Sequence, residues 1–204
     1  MAKEITRKKL GERVYRILGG GSTKPELKIK IQDAMLAVSQ SRDQAILELF
    51  YEKKAQDEHT FPYDILSEFT LEVEDGVINL PRRGLSVLKH NSGIYRVSTL
   101  DSDNPEEIIP VSTGFKTLYA KQASIGLEGN PYYSPFQDQL RVTGVADGCK
   151  VLVEMVVAGE YFDDNEFFCI PPELENEVVR NAIETLTIMY NAMEDVATDS
   201  RANG

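Results

Sequence analysis

Residues 167–193, FFCIPPELENEVVRNAIETLTIMYNAM, decide the fold: an apolar strand end runs through two prolines straight into a long amphipathic helix. Pro171 and Pro172 suit a helix start, because a proline in the first turn gives up only an N–H that has no helical partner and arrives with φ already set. Glu173, Glu175 and Glu177 crowd the first turns, where the positive end of the helix dipole favours carboxylates. Leu174, Val178, Ile183, Leu186, Tyr190 and Met193 follow at steps of three to five and make one broad apolar stripe. One face of this helix is expected to be buried and the other strongly polar.

A second long helix must supply the surface that buries this stripe. Ser22 or Thr23, followed by Pro25 and Glu26, is a helix-start signal, and Leu27, Ile31, Met35, Val38, Ala45, Ile46, Leu49 and Phe50 carry an apolar pattern to about Lys54. Residues 39–42 interrupt that pattern, so the spacing allows one helix or two meeting at a kink. Before it, residues 4–18 read as a short basic helix with Leu10, Val14, Ile17 and Leu18 on one side, ended by Gly19, Gly20 and Gly21.

Between the helices the texture changes to short runs of β type: LEVEDGVINLP, SGIYRVSTL, IIPVSTG, QLRVTGV and CKVLVEMVV. Asp147-Gly148 between the last two is a hairpin signal, and Val151, Val153, Met155 and Val157 alternate onto one face. The expected class is α+β: N-terminal helices and a long C-terminal helix packed together, with an inserted antiparallel β module, a small sandwich or open barrel. The expected division is 1–21 basic arm and hinge, 22–58 helical part, 59–170 β module, 171–197 C-terminal helix packing on the helical part and 198–204 flexible tail.

Composition sets the outer bounds. The 204 residues contain 33 acidic and 22 basic side chains, a net charge of −11. A dedicated nucleic-acid binder draws its affinity from Lys and Arg on phosphates, so this balance argues against one, and against docking on an anionic membrane. No apolar run approaches the roughly 20 residues of a membrane helix, and MAKEITRKKLGER has no signal-peptide core, so synthesis and assembly in a cytoplasm are expected. Cys149 and Cys169 are far apart and read as buried free thiols.

The residues offer little for catalysis, and the expectation is no enzyme, no catalytic residues, no metal and no cofactor. His59 and His90 lie beside loop-type residues with no Ser or Cys motif near them. GGGSTK at residues 19–24 resembles a phosphate loop, but no glycine precedes Lys24, Pro25 follows it and a helix precedes it, so it reads as a hinge. DSDN at residues 101–104 starts like a calcium loop, yet Pro105 and Glu106 stand where an oxygen ligand and a glycine are required. DDNE at residues 163–166 is the densest acidic cluster and reads as a solvated loop before the closing helix.

Two stretches stand out as contact surfaces. NPYYSPF at residues 130–136 sets Tyr132, Tyr133 and Phe136 around two prolines, a stiff loop that either anchors an interface or covers the base of the β module. Arg82 and Arg83 in LPRRG form a basic turn tip. With Glu177 and Glu184 on the polar face of the closing helix, these are the candidate interface residues.

In this order the elements resemble the head-to-tail ring (adaptor or connector) proteins of tailed bacteriophages, of crAss-like or related short-tailed type. The likeness is carried by KPELKIKIQDAMLAVSQSRDQAILELFYEKK, INLPRRGLSVLKHNSGIYRVSTL, IGLEGNPYYSPFQDQLRVTG and CIPPELENEVVRNAIETLTIMYNAM. It implies a structural virion protein of the neck. It also implies a homo-oligomeric ring, generally dodecameric, bound to the portal protein and to other neck or tail rings, with DNA passing through its lumen without specific binding. Two other classes compete. A β-sandwich ligand- or carbohydrate-binding module predicts exposed Tyr132, Tyr133 and Phe136 rings along a groove. A carboxylate-dependent hydrolase predicts a pocket with a buried acid of raised pKa.

Overall fold

A computed structural model describes residues 5–20, 29–56, 62–88, 92–100, 105–112 and 130–202, with side-chain surroundings up to residue 191. The chain is α+β. It divides into a helical unit, Met1–Ile65 with Gly159–Gly204, and a β unit, Leu66–Ala158, inserted between the helices.

Among the described residues, three α-helices make the helical unit: α1 (Arg7–Leu18), α2 (Ile31–Ala55) and α3 (Glu175–Ala202). The helix α2 packs on both α1 and α3, and α1 touches α3. Segment 5–20, read from sequence as a basic arm, lies in this unit with Leu10 and Val14 buried. Thr6 caps α1, its hydroxyl accepting the Lys9 N–H at 3.2 Å.

α3 starts as its sequence requires. Pro172–Leu174 form a single 3₁₀ turn, the Leu174 N–H donates to the Pro171 carbonyl, and Glu175 opens the α-helix. The buried stripe centres on Val178, Val179, Ala182 and Leu186, while Ile183 and Tyr190 sit at its half-buried margins. Full burial of such side chains stabilises by about 1.5–3 kcal/mol each. The helix runs on to Ala202, so residues 198–202 of the expected flexible tail are helical.

Two expectations about α2 change. The helix does not run continuously from Pro25: Lys30 is extended, the Asp33 carboxylate accepts its N–H at 2.9 Å, and this local bond sets the start at Ile31. The Ser22–Glu26 start signal lies outside the described residues, as do Gly21 to Lys24 of the glycine hinge. Nor is there a break at residues 39–42. α2 is one helix of 25 residues, and the interruption of its apolar stripe is a buried polar contact described below.

The β unit contains, among the described residues, two small sheets. β1 (Ser67–Glu72), β7 (Lys150–Met155) and β3 (Ile94–Thr99) pair antiparallel in the order β1-β7-β3. β2 (Val77–Asn79), β6 (Gln139–Thr143), β5 (Tyr132–Phe136) and β4 (Ile109–Pro110) form the second, with β4 parallel to β5. An extended segment joins the two: Ile108 N–H bonds to Val97 O beside β3, and the next residues, Ile109 and Pro110, pair with β5. Val97, Val151, Val153, Met155, Ile78, Leu140 and Ile108 fill the interior. Val151, Val153, Met155 and Val157 are buried as expected, but the alternation holds only to Val153, since Glu154 and Val156 are buried as well.

The Asp147-Gly148 hairpin is not. β6 and β7 lie in different sheets, so this turn is a crossover, with Asp147 accepting the Gly76 N–H at 3.0 Å and Gly148 donating to Val73 O. The tight turn belongs to Asp75-Gly76, where both residues have positive φ and Glu74 and Val77 exchange two backbone bonds of 2.9 Å. That is the geometry an Asp-Gly pair favours in a two-residue turn. The second two-residue turn, Gln137-Asp138 between β5 and β6, carries no such dipeptide, although Gln137 also has positive φ.

Candidate functional site

The interruption at residues 39–42 proves to be the best-organised polar constellation among the described residues. Arg42 is wholly buried in the helical unit. Its Nε donates to the Cys169 carbonyl at 2.9 Å and its Nη1 to Asp43 at 2.8 Å. The guanidinium lies 4.9 Å from the centre of the Phe162 ring and 5.2 Å from that of Phe168, and the two rings meet edge to face. Asp43 in turn accepts the Gly159 N–H, and the Ser39 hydroxyl donates to the Gly159 carbonyl at 3.1 Å.

Burial dominates the electrostatics of this pair. It lowers the Arg42 pKa, against the opposing pull of Asp43. It raises the Asp43 pKa above its ordinary value, with Arg42 and the Gly159 N–H working the other way. The arrangement fastens residues 159–170, the segment returning from the β unit, to the middle of α2. A charged residue in the centre of an apolar stripe was the one sign of it in the sequence.

The acidic run 163–166 is engaged within the chain. Asp164 accepts from Arg7 at 2.5 Å, its carbonyl accepts the Lys8 N–H, and Glu166 accepts the Asp163 N–H at 3.2 Å. Beside it, Phe168 N–H bonds to Ile5 O and Thr6 bridges Phe167, so the N-terminal strand end pairs with the start of the stretch that sets the fold. Among the described residues no three His, Cys, Asp or Glu side chains are grouped to hold a metal ion, and no helix is long and apolar enough to cross a membrane. His59, His90 and the DSDN run lie outside the described residues.

The expected aromatic loop is a strand. Burial along β5 does not simply alternate: Tyr133 and Ser134 are buried, Tyr132 is half-buried, and Phe136 is the one exposed ring of the three, at 44%. Burial, and secondarily the charge of Glu107, pushes the Tyr133 hydroxyl far up. Phe136 is covered by Arg141, 4.3 Å above its ring. Pro135 is tolerated because it lies beyond the short β4 ladder.

Arg83 is exposed and Arg82 half-buried. Arg83 lines a surface cleft of about 330 Å³ together with Asp138, Gln137, Ser86 and Ser92, at the Gln137-Asp138 turn. This cleft brings LPRRG next to the end of NPYYSPF, a meeting that the sequence did not reveal.

On the helical unit, α3 keeps an outer stripe free of the core. Glu184 is exposed and Glu177 half-buried, and past the last buried residue, Leu186, come Ile188 at 69% and Met189 at 50% exposure. Arg13 of α1 binds Glu175 at 2.9 Å and Asn176 at 3.0 Å, tying α1 to the start of α3. The candidate residues therefore fall into two sets, one on each unit. No protein-family model matches this chain. A search of curated proteins returns no match.

Proposed function

We propose that this chain is a structural subunit of a homo-oligomeric ring in the neck of a tailed bacteriophage, where it connects the portal to the tail and lets DNA pass through the lumen. The observation that carries the reading is the outer surface of α3. A helix that continues past Leu186 with Ile188 and Met189 on the outside presents apolar area for which the described part of the subunit offers no cover. A helical unit with an inserted β unit is also the organisation that the resemblance implies. In a ring, each subunit covers one neighbour's patch with a different patch of its own.

The groove of exposed rings required by a carbohydrate-binding module has no counterpart in β5, since Tyr133 is 2% exposed and Phe136 is stacked under Arg141. The acids nearest to what a carboxylate hydrolase needs are the partly buried Asp43, committed to Arg42 and Gly159, and the buried Glu154, paired with Arg96. The lumen is expected to be lined by carboxylates, which repel phosphates and keep sliding DNA from sticking.

Native mass spectrometry and electron microscopy of the purified protein, alone and with a portal protein, test the reading. Closed rings, or rings assembled on the portal, are expected. Monomers in both samples would refute it.

A further inference from the structure

α1 places five basic side chains and one acid within twelve residues, a local charge of +4 that leaves −15 on the rest of a chain totalling −11. Arg7 is held by Asp164 and Arg13 by Glu175. Lys8, Lys9 and Arg16 face solvent, and the Arg16 side chain is 69% exposed, 3.9 Å from Glu12. Next to Arg16, Ile17 is 51% exposed. On the outer stripe of α3 the exposed Arg180 stands one turn before Glu184, and the charge next to the apolar surface is Glu184, followed one turn on by Ile188, with Met189 beside it. Each helix thus sets exposed charge next to exposed apolar surface, and the charges are complementary.

We propose that the outer face of α1, centred on Arg16 and Ile17, docks on the outer face of α3, centred on Glu184, Ile188 and Met189, in a second copy of this chain. The inference rests on the ring reading above and supplies the two different patches that a head-to-tail contact needs. Covering Ile17, Ile188 and Met189 provides the affinity, since apolar burial does so in most protein contacts. The ion pair at Arg16 and Glu184 sets register and excludes like-charged pairings. Duplex DNA is a poorer occupant of the α1 face, because phosphates neutralise its cations but leave Ile17 in water.

The test uses the full chain, with assembly followed by native mass spectrometry and sedimentation over a range of concentrations, for R16E, E184R, the R16E/E184R swap and I188S. Thermal unfolding of each monomer controls for folding. Each single change is expected to raise the concentration needed for assembly about tenfold, and the swap to recover most of that loss, as complementary charge requires. I188S should weaken assembly without lowering the unfolding temperature. Three results would overturn the contact: R16E and E184R assembling like the parent, a swap that recovers nothing, or R16E weakening binding to duplex DNA with assembly unchanged. Rings that persist unaltered in every variant would sink this contact and leave the ring reading standing, whereas a parent that stays monomeric with and without portal would sink both.

Discussion

Asp43 receives the Gly159 amide N–H on its carboxylate, with both oxygens 2.9 Å from that nitrogen. No side chain fits at residue 159, because a Cβ there would stand 2.7 Å from the Ser39 carbonyl oxygen and 3.1 Å from Asp43 Oδ1. Gly159→Ala is therefore expected to destabilise the helical unit by about 1–3 kcal/mol, the usual cost of overpacking. Urea unfolding followed by circular dichroism measures it, and an unchanged midpoint would show that the segment can move aside.

Arg42 and Asp43 are predicted to be strongly coupled. Arg42→Met leaves a largely buried carboxylate without its cation and should cost about 3–5 kcal/mol, whereas Arg42→Met combined with Asp43→Asn should cost much less than the sum of the two single changes. A double-mutant cycle of unfolding free energies reads the coupling directly. Additive values would mean that the pair does not act as a unit.

The same pair gives a pH signature. The folded-state pKa of Asp43 is raised above its ordinary value of 3.8, so between those two values the folded chain holds a proton that the unfolded chain has lost. This group's contribution to stability is fully present below pH 3.8 and is lost as pH rises through the folded pKa. The stability of the parent relative to Asp43→Asn should accordingly fall as pH is raised from about 3.8. Unfolding curves of both proteins across that range check the sign, and a difference that grows with pH would contradict it.

Two faces of α3 should respond in opposite ways. Leu186→Asp puts an unpaired charge where the side chain is 4% exposed and should unfold the helical unit, at a cost of several kcal/mol. Glu184→Lys lies on the outer face and should change stability by no more than about 0.5 kcal/mol. Scanning calorimetry of the two variants suffices, and a large loss from the Lys change would mean that the faces are assigned the wrong way round.

In the β unit, Tyr133→Ala is expected to cost about 3–5 kcal/mol, as for other large buried aromatics, while the exposed Phe136→Ala should cost far less. Equal effects would show that the rings act as one patch.

The sequence disclosed what is local. Pro171, Pro172 and the glutamates after them mark the start of α3, and the alternation of Val151, Val153 and Met155 gives the inward face of β7. Partners distant in sequence stayed hidden. Two Asp-Gly pairs look alike on paper, yet Asp75-Gly76 makes the tight turn and Asp147-Gly148 a crossover, because each choice depends on which sheet the following strand joins. Tyr133 read as part of a stiff loop, either an interface anchor or a cover for the β module, because prolines on either side suggested a loop, whereas it is a buried strand residue in β5, which needs only a short ladder on its β4 side. Arg42 read as a gap in a stripe, since nothing local announces that Phe162, Phe168 and Cys169 return to cover it.

That return has a consequence for the order of events at the ribosome. Arg42 and the carbonyl it binds are 127 residues apart, and Asp43 and Gly159 are 116 apart. The whole β unit is synthesised between the two halves of the contact, as one unbroken stretch. α2 therefore emerges with its central arginine uncovered and must wait for the segment that encloses it. Since domains fold as units during synthesis, the inserted unit matures first and the surrounding one last. In the proposed ring, the α3 face belongs to the part of the chain made last, so a chain still on the ribosome would lack one of the two patches that the contact requires.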